Sequence, residues 1–570
     1  NKQEIINSFN DHFSKIGKKV ADSLNVPPDL SFEKYLTRRI SNSFVFQQIS
    51  RDIVENCISE LAPKNSSAED KISSKILKSV ADEISAPLAI IINQCFNAGI
   101  FPDCLKKARV KPLFKKGNHS DPGNYRPISI LPSLSKVFEK VILKQLTTYF
   151  TQNTILYPSQ YGFRKRHSTD HAVLEFVDHI YSMMDSGDTP LSIFVDLTKA
   201  FDCLDHNILF KKLEFYGVKD SSLALLKSYL TGRNQFTECD NLKSNSNSIT
   251  TGVPQGSNLG PFLFLVYIND LKKCSDSFKI ITYADDSTFI SSFNAPNDEK
   301  TINAELIKVQ EWLLSNKLSL NVSKTKYMIF HTVQKQIDIP CIKIDNKVIE
   351  CVDHFTYLGI TLDKHLSWKL HVEKVCQKIS KINCVLAKIK KILPTRILKI
   401  IYNSLIACHL NYGILLWGKV TKQLTKLQKR AIRTITKSKY NAHTEPLFKT
   451  LNILKLDDIR RSQELIFFYK FVNGLLPAYF GQNFIKFLNS NDGNRFRNKL
   501  LFPRFRHEYF RQNLRYSIVK TVNDAPPLIL DKIETHSLKG FRSYLKIKII
   551  SNYSEICSIQ NCYICRNSNQ

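Results

Sequence analysis

A mixed α/β (α+β) fold is predicted for this 570-residue chain by three observations. Apolar residues recur at helical spacing towards both ends. Short buried runs of strand character, two of them flanked by acidic residues, occupy the middle. A long basic amphipathic stretch follows them. Hydrophobic content of 43% and aromatic content of 11% belong to a folded chain. The length allows roughly three to five domains or subdomains around a large core.

Residues 1–105 read as a helical extension. Ile6, Phe9, Phe13, Ile16 and Val20 keep one helical face until Pro27-Pro28 ends it, and a second helical stretch runs through Leu77, Val80, Ile84, Leu88 and Ile91. From 106 to 365 strands and helices mix. Ala108–Phe114 reads as a strand, Leu191–Asp196 as a buried strand ending in an acid, and Pro261–Leu271 as an apolar helix after a Gly/Pro-rich loop. From 366 to 440 the chain is helical and basic. Trp368, Val372, Val375, Ile379, Ile382, Leu386, Ile389 and Leu393 alternate four and three apart, a stripe that a coiled coil would share. A further helix sets Leu424, Leu427, Ala431 and Ile435 against Lys422, Lys426, Arg430, Arg433 and Lys437. Residues 441–570 form a mixed extension with Phe/Tyr/Arg clusters at 496–515.

The net charge of +30 is unevenly spread: Lys364–Thr450 holds 19 lysines or arginines against two acids. Such clustering points to a polyanion more than to a generally basic surface, and a continuous cationic helix face suits a phosphate backbone. Fourteen mostly isolated cysteines suit a reducing, intracellular setting. No apolar run reaches the roughly 18 residues of a membrane span, and there is no signal peptide. The chain opens on Asn1, which leaves room for a longer product.

Chemistry is suggested by Tyr283-Ala284-Asp285-Asp286. Ile280–Thr282 and Thr288–Ile290 read as the arms of a hairpin with two adjacent carboxylates at its tip. Taken alone, this is as readily a solvated turn. Asp196 supplies a partner 89 residues upstream, at the end of a buried strand. If that strand pairs with the hairpin, Asp196 and Asp285 converge, and two divalent ions roughly 3.5–4 Å apart could bridge them. The competing reading makes Asp196 the N-cap of a helix starting at Leu197–Phe201.

The motifs then narrow. Phe194–Asp202 (FVDLTKAFD), Gly252–Ser257 (GVPQGS) and Tyr283–Asp286 follow the order of a reverse transcriptase palm. Asn124–Ser129 (NYRPIS), Gln160–Arg164 (QYGFR) and Phe355–Gly359 (FTYLG) resemble the polymerases of non-LTR, LINE-type, jockey-like retrotransposons. The resemblance covers roughly residues 105–440, and six ordered motifs are far more specific than a lone YADD. It implies a right-hand polymerase, with fingers and palm (an antiparallel sheet) over 106–365, a helical thumb over 366–440, and extensions at both ends. Residues 1–105 resemble the linker preceding such polymerases, and nothing like an RNase H follows.

At matching positions the resemblance makes Asp196, Asp285 and Asp286 the catalytic metal-binding triad for Mg2+ or Mn2+. Phe201 becomes the gate that leaves no room for a 2′-hydroxyl; otherwise it is an ordinary core phenylalanine on a helix. Lys111, Lys115 and Arg126, with Gln255 and Gly256, would bind the nucleoside triphosphate, with the two lysines unranked. Gln160 and Arg164 would hold the template. Lys324, in the segment Asn321–Lys326, would be a general acid or else a plain surface lysine. Tyr357, Leu358 and Gly359 look like the primer grip.

The implied partners are an RNA template (the element's own transcript), a DNA primer at a nicked target site and deoxynucleoside triphosphates. The implied setting is the nucleus and a cytoplasmic ribonucleoprotein. Asn258 and Ser287 depart slightly from the family pattern. A decayed or co-opted copy that binds nucleic acid without catalysis is the rival reading. Near the end, Cys557, Cys562 and Cys565 lack an evident fourth ligand beyond His507 or His536, so free thiols are expected rather than zinc.

Overall fold

Two five-stranded sheets organise the computed structural model, which describes residues 2–37, 40–481, 484–485 and 500–555 (only the backbone of Glu508 and Tyr509). In the first sheet Lys107–Phe114 lies antiparallel to Tyr125–Ile130 and parallel to Arg233–Cys239, which also pairs with Leu242–Lys243 and Asn247–Ile249. The second sheet runs Glu350–Cys351, Lys326–Ile329, Pro190–Val195, Asp286–Ser292, Lys279–Tyr283. Its four inner and far strands are antiparallel, as expected of a palm, and only the short Glu350–Cys351 edge is parallel to its neighbour.

Every residue of Pro190–Val195 is buried, because this central strand serves two cores at once. Strand side chains alternate between faces. Leu191, Ile193 and Val195 therefore enter a core shared with the N-terminal helices, while Phe194 enters a second one with Met328 and the helices that follow. Helix Thr169–Ser186 covers that second face and carries two buried acids. Glu175 accepts hydrogen bonds from Ser159 Oγ (2.8 Å) and the Tyr161 hydroxyl and pairs with Lys279 (2.7 Å).

The helical readings mostly hold, with informative exceptions. The first helix spans Lys2–Asp22. The second stretch breaks at Val80 into Ser74–Ser79 and Ala81–Ala98. The apolar helix is Gly260–Tyr267, after which the chain tightens into a 3-10 turn, Asn269–Cys274. The basic stripe forms Lys369–Ile389, beginning after Trp368, whose φ of 64° lies outside the helical region. It packs against Lys422–Ile435 within a helical bundle, which excludes a free-standing coiled coil.

The helix expected from Leu197 does not form. Residues 198–202 make turns, with Lys199 at φ 48°, and the next helix, His206–Phe215, is capped by Asp205, not by Asp196.

Both extensions are built into the body. Helix Lys2–Asp22 lies on the first sheet, where Asn10 donates to the Asn245 carbonyl at 2.8 Å and accepts from Gln235 and Thr237. A Cβ on Gly17 would overlap the Asp202 carbonyl oxygen, so only glycine lets this helix sit so close. The C-terminal helices Leu456–Val472, Leu514–Asn523 and Leu538–Ser551 share the second core with the basic bundle. Asp178, on helix Thr169–Ser186, anchors them: Arg515 Nη2 (2.6 Å), Asn513 Nδ2 (3.0 Å) and the Tyr479 hydroxyl (2.5 Å) all donate to it. No described helix is long and apolar enough to cross a membrane.

Candidate active site

Strand pairing brings the carboxylates together. Val195 pairs with Ser287, and Tyr283 pairs with Asp286 across a two-residue turn of Ala284 and Asp285. Asp196, one residue beyond its strand, thus meets the open end of the hairpin. Ser287, the small residue at this crossing, is buried in the ladder. Such a turn favours glycine at its first central position. Ala284 holds φ 55° there instead, a conformation costing about 1–2 kcal/mol. Gln160 offsets that cost: its buried Oε1 accepts from the N–H groups of Ala284 (3.0 Å) and Gly162 (2.8 Å).

The side-chain acceptor of Gln160 is thus committed to bracing the hairpin, a structural role beside the template contact expected of it. Arg164 behaves alike, donating from Nη1 to the carbonyls of Tyr157 (2.8 Å) and Gln160 (3.0 Å).

Electrostatics report the crowding. Burial raises the Asp285 carboxyl above its ordinary range, and the Asp196 charge adds to this, while Arg126 and Lys115 oppose it. Asp286 is exposed as a residue, yet desolvation of its carboxyl and the charges of Asp285 and Asp196 push it up to about 6. Three mutually repelling carboxylates are hard-oxygen donors of the kind that magnesium or manganese takes, so the donor set fits a divalent ion. They do not form a closed cage: among the described residues no group of three His, Cys, Asp or Glu side chains stands ready to hold a metal. Lys324 Nζ instead pairs with Asp196 Oδ2 at 2.9 Å. The Asp196 backbone positions that lysine's turn, its carbonyl accepting from Asn321 N (2.8 Å).

Phe201 sits on the turn after Asp196 and not on a helix. Its ring stacks on Phe264 (centroids 4.3 Å apart) and is met edge-on by the exposed Phe163. Gln255 Nε2 donates to Asp202 Oδ1 (2.8 Å), and the Gln255 carbonyl accepts from Ser129 N (2.8 Å). Gly256 holds φ 135°, where a Cβ would overlap the Ser129 carbonyl oxygen. Burial pushes Asp202 up to about 6, against the lowering bond from Gln255. Asn258 uses its departure from the family pattern to donate from Nδ2 to the Lys136 carbonyl (3.1 Å), a bond no aliphatic side chain could make, while its backbone N–H meets the buried Glu139 (2.6 Å).

Lys111, Lys115 and Arg126 are all exposed. Arg126 pairs across from Leu113, which shares a strand face with Lys111. The charges of Arg126 and Lys115 both act on Asp285.

Tyr357, Leu358 and Gly359 turn the His354–Tyr357 and Ile360–Asp363 hairpin, and the Tyr412 hydroxyl donates to the Leu358 carbonyl. Tyr357 is buried, with its hydroxyl beside Thr288. The cationic face of Lys422–Ile435 is exposed at Lys422, Lys426 and Arg430. Cys557, Cys562 and Cys565 lie outside the described residues.

Comparison with known proteins agrees with this geometry. Residues 113–362 match the family model described as "Reverse transcriptase (RNA-dependent DNA polymerase)". The chain is 27% identical over 445 residues to the RNA-directed DNA polymerase from mobile element jockey of Drosophila melanogaster, covering 75% of this chain and 48% of the relative. It is 30% identical over 431 residues to the probable RNA-directed DNA polymerase from transposon BS of the same fly, covering 71% and 46%. Against the probable RNA-directed DNA polymerase from transposon X-element it is 27% identical over 403 residues, covering 68% and 44%. The chain thus spans about half the length of the curated relatives it matches.

Proposed function

We propose, from the premise that residues 113–362 belong to the reverse transcriptases, that this chain extends a DNA primer along an RNA template by nucleotidyl transfer from deoxynucleoside triphosphates. The observation supporting this reading is the meeting of Asp196, Asp285 and Asp286 at one end of a single sheet, where the Asp196 charge raises the cost of ionising Asp285 and both raise that of Asp286. Reverse transcriptases use divalent metal ions. Here Asp196, Asp285 and Asp286 would hold Mg2+ or Mn2+, two ions in the full arrangement, which when bound offset the charge developing on attacking and leaving oxygens.

The remaining work falls to the chain's own groups. Lys115 and Arg126 draw the triphosphate towards the carboxylates and hold it by charge. Gln255, fixed by Asp202, and the bare backbone at Gly256 shape the floor beneath the nucleotide. The Phe201 ring, backed by Phe264, bars a 2′-hydroxyl. Lys324 carries a proton beside Asp196 and passes it to the departing pyrophosphate oxygen. The exposed lysines and arginine of Lys422–Ile435 hold the duplex backbone. The template of this reading is the element's own transcript, and the primer is a nicked target.

The deciding experiment is primer extension on an RNA template with purified protein, with and without chelator. Metal-dependent extension that Asp285→Asn abolishes, with RNA affinity nearly unchanged, is expected, since phosphate contacts carry the affinity. A folded protein that binds RNA yet never extends a primer would make it a nucleic-acid-binding relic.

A further inference from the structure

The C-terminal extension contains a cleft of about 720 Å3 that none of the three carboxylates lines. It opens between Leu456–Val472, Leu514–Asn523 and Leu538–Ser551, with Lys419, Arg460, Arg461, Lys520 and Lys548 on its walls. Three acids line it, Glu445, Asp458 and Asp524, and the first two are engaged. Glu445 pairs with Lys455 (2.7 Å), Asp458 accepts from the Tyr553 hydroxyl (2.5 Å), and the neighbouring Glu464 pairs with Arg460 (3.2 Å). Arg461, Lys520 and Lys548 have no acidic partner within 4 Å among the described residues. The Arg460 Nε is buried without a hydrogen-bond partner. Lys419, which donates to the Arg511 carbonyl (3.0 Å), is pushed down to about 8 by burial and by the Arg460 charge.

A second cavity of about 590 Å3 adjoins the first through Tyr516, which lines both. Its walls hold Arg504, Arg506 and Arg511 with Phe502 and Phe505, and no acid among the described side chains. The Phe502 ring is 47% exposed and lies 5.1 Å from that of Tyr516. Cations in line with exposed aromatic rings are the physical requirement for unpaired nucleic acid: charge follows the phosphates while rings stack on bases. A duplex buries its base faces and cannot use the rings, and a free anion has no use for them either.

We propose that the two cavities form one groove that binds a single-stranded nucleic-acid segment, separate from the strand being copied. Arg461, Lys520 and Lys548 take its phosphates, and Phe502 and Tyr516 stack on its bases. The groove would let the protein keep hold of a strand while the catalytic cleft releases and rebinds its duplex.

Binding of a labelled oligouridylate RNA of about 12 nucleotides, a length within reach of such sites, tests this by fluorescence anisotropy in excess unlabelled RNA–DNA hybrid. Wild-type protein should bind under this competition. Arg461→Glu with Lys520→Glu should weaken binding at least about tenfold and lower the salt slope by roughly two. Tyr516→Ala should weaken it and Tyr516→Phe should not. Extension of a short preformed primer–template should be unaffected by all three, and unaltered melting would show that each variant folds.

Unchanged affinity in the charge-inverted variant would overturn the proposal. So would competition by the hybrid, which marks a duplex site, or equally strong displacement by tripolyphosphate, which marks a free-anion site. The measurement requires no polymerisation, so it stands or falls apart from the reading of the carboxylates.

Discussion

Asp286 shows what a single side chain costs this site. Its carboxyl titrates near 6 in the folded protein against an ordinary 3.8, because burial and two like charges disfavour its ionised form. A raised carboxylate is a liability once it is charged: the folded state is penalised above about pH 6, and the penalty is gone below the unfolded value. Asp286→Asn should therefore raise the thermal midpoint at neutral pH in chelator while lowering extension, and the gain should fade as pH falls towards about 4. A lower midpoint at neutral pH would contradict this account.

Phe201 makes a different prediction. Phe201→Val opens space beside Phe264, so the preference for deoxyribonucleotides over ribonucleotides, read as a ratio of kcat/KM values, should drop by about tenfold or more. Gln160→Ala separates bracing from template contact. Losing the acceptor of two buried N–H groups should lower kcat with template affinity unchanged, whereas weakened template affinity alone would restore the template role.

At the scale of elements, local signals were readable and distant ones were not. Alternation and helical periodicity depend on neighbours in sequence, so the strand ending in Asp196, the hairpin of Asp285 and the helices Lys2–Asp22 and Lys422–Ile435 could be located from residues alone. The meeting of Asp196 with the Asp285 hairpin was also readable, because motif order supplied what spacing could not. The turns at 198–202 misled, since their composition suits a helix while their conformation answers to the Gly252 loop and the first helix packed against them. Gln160 and Arg164 carry no local sign that their hydrogen bonds are spent inside the protein. Asp178 and Glu175 gave no warning either, because a charged residue in a helix reads as solvent-facing until its tertiary partners are known.

Asp178 also yields the prediction for this scale. Arg515→Ala leaves a buried carboxylate with only Tyr479 and Asn513, and should cost about 2–3 kcal/mol, measured by denaturant unfolding. The C-terminal helices should become sensitive to limited proteolysis before the sheets do.

Across the whole molecule, one sheet separates two cores, and each terminal extension closes one of them. The helix that resembled a linker is thereby part of the frame of the candidate site, through Gly17 against Asp202 and, through Asp202, Gln255. Gly17→Ala should lift the helix from this loop and reduce extension several-fold, with nucleotide KM more affected than RNA affinity. Unchanged kinetics would reduce the contact to packing.

That same seat has a consequence for how the chain is made. Asn10 is synthesised 225 residues before its partner Gln235 and 235 before Asn245. The apolar face of Ile6 and Phe13 must therefore wait, uncovered, while the ribosome delivers the strands it will rest on. At about 5–20 residues per second, that wait lasts roughly ten seconds or more. A nascent chain in this position is a natural client for a chaperone, and a chain cut short before Gln235 would have nowhere to place its first helix.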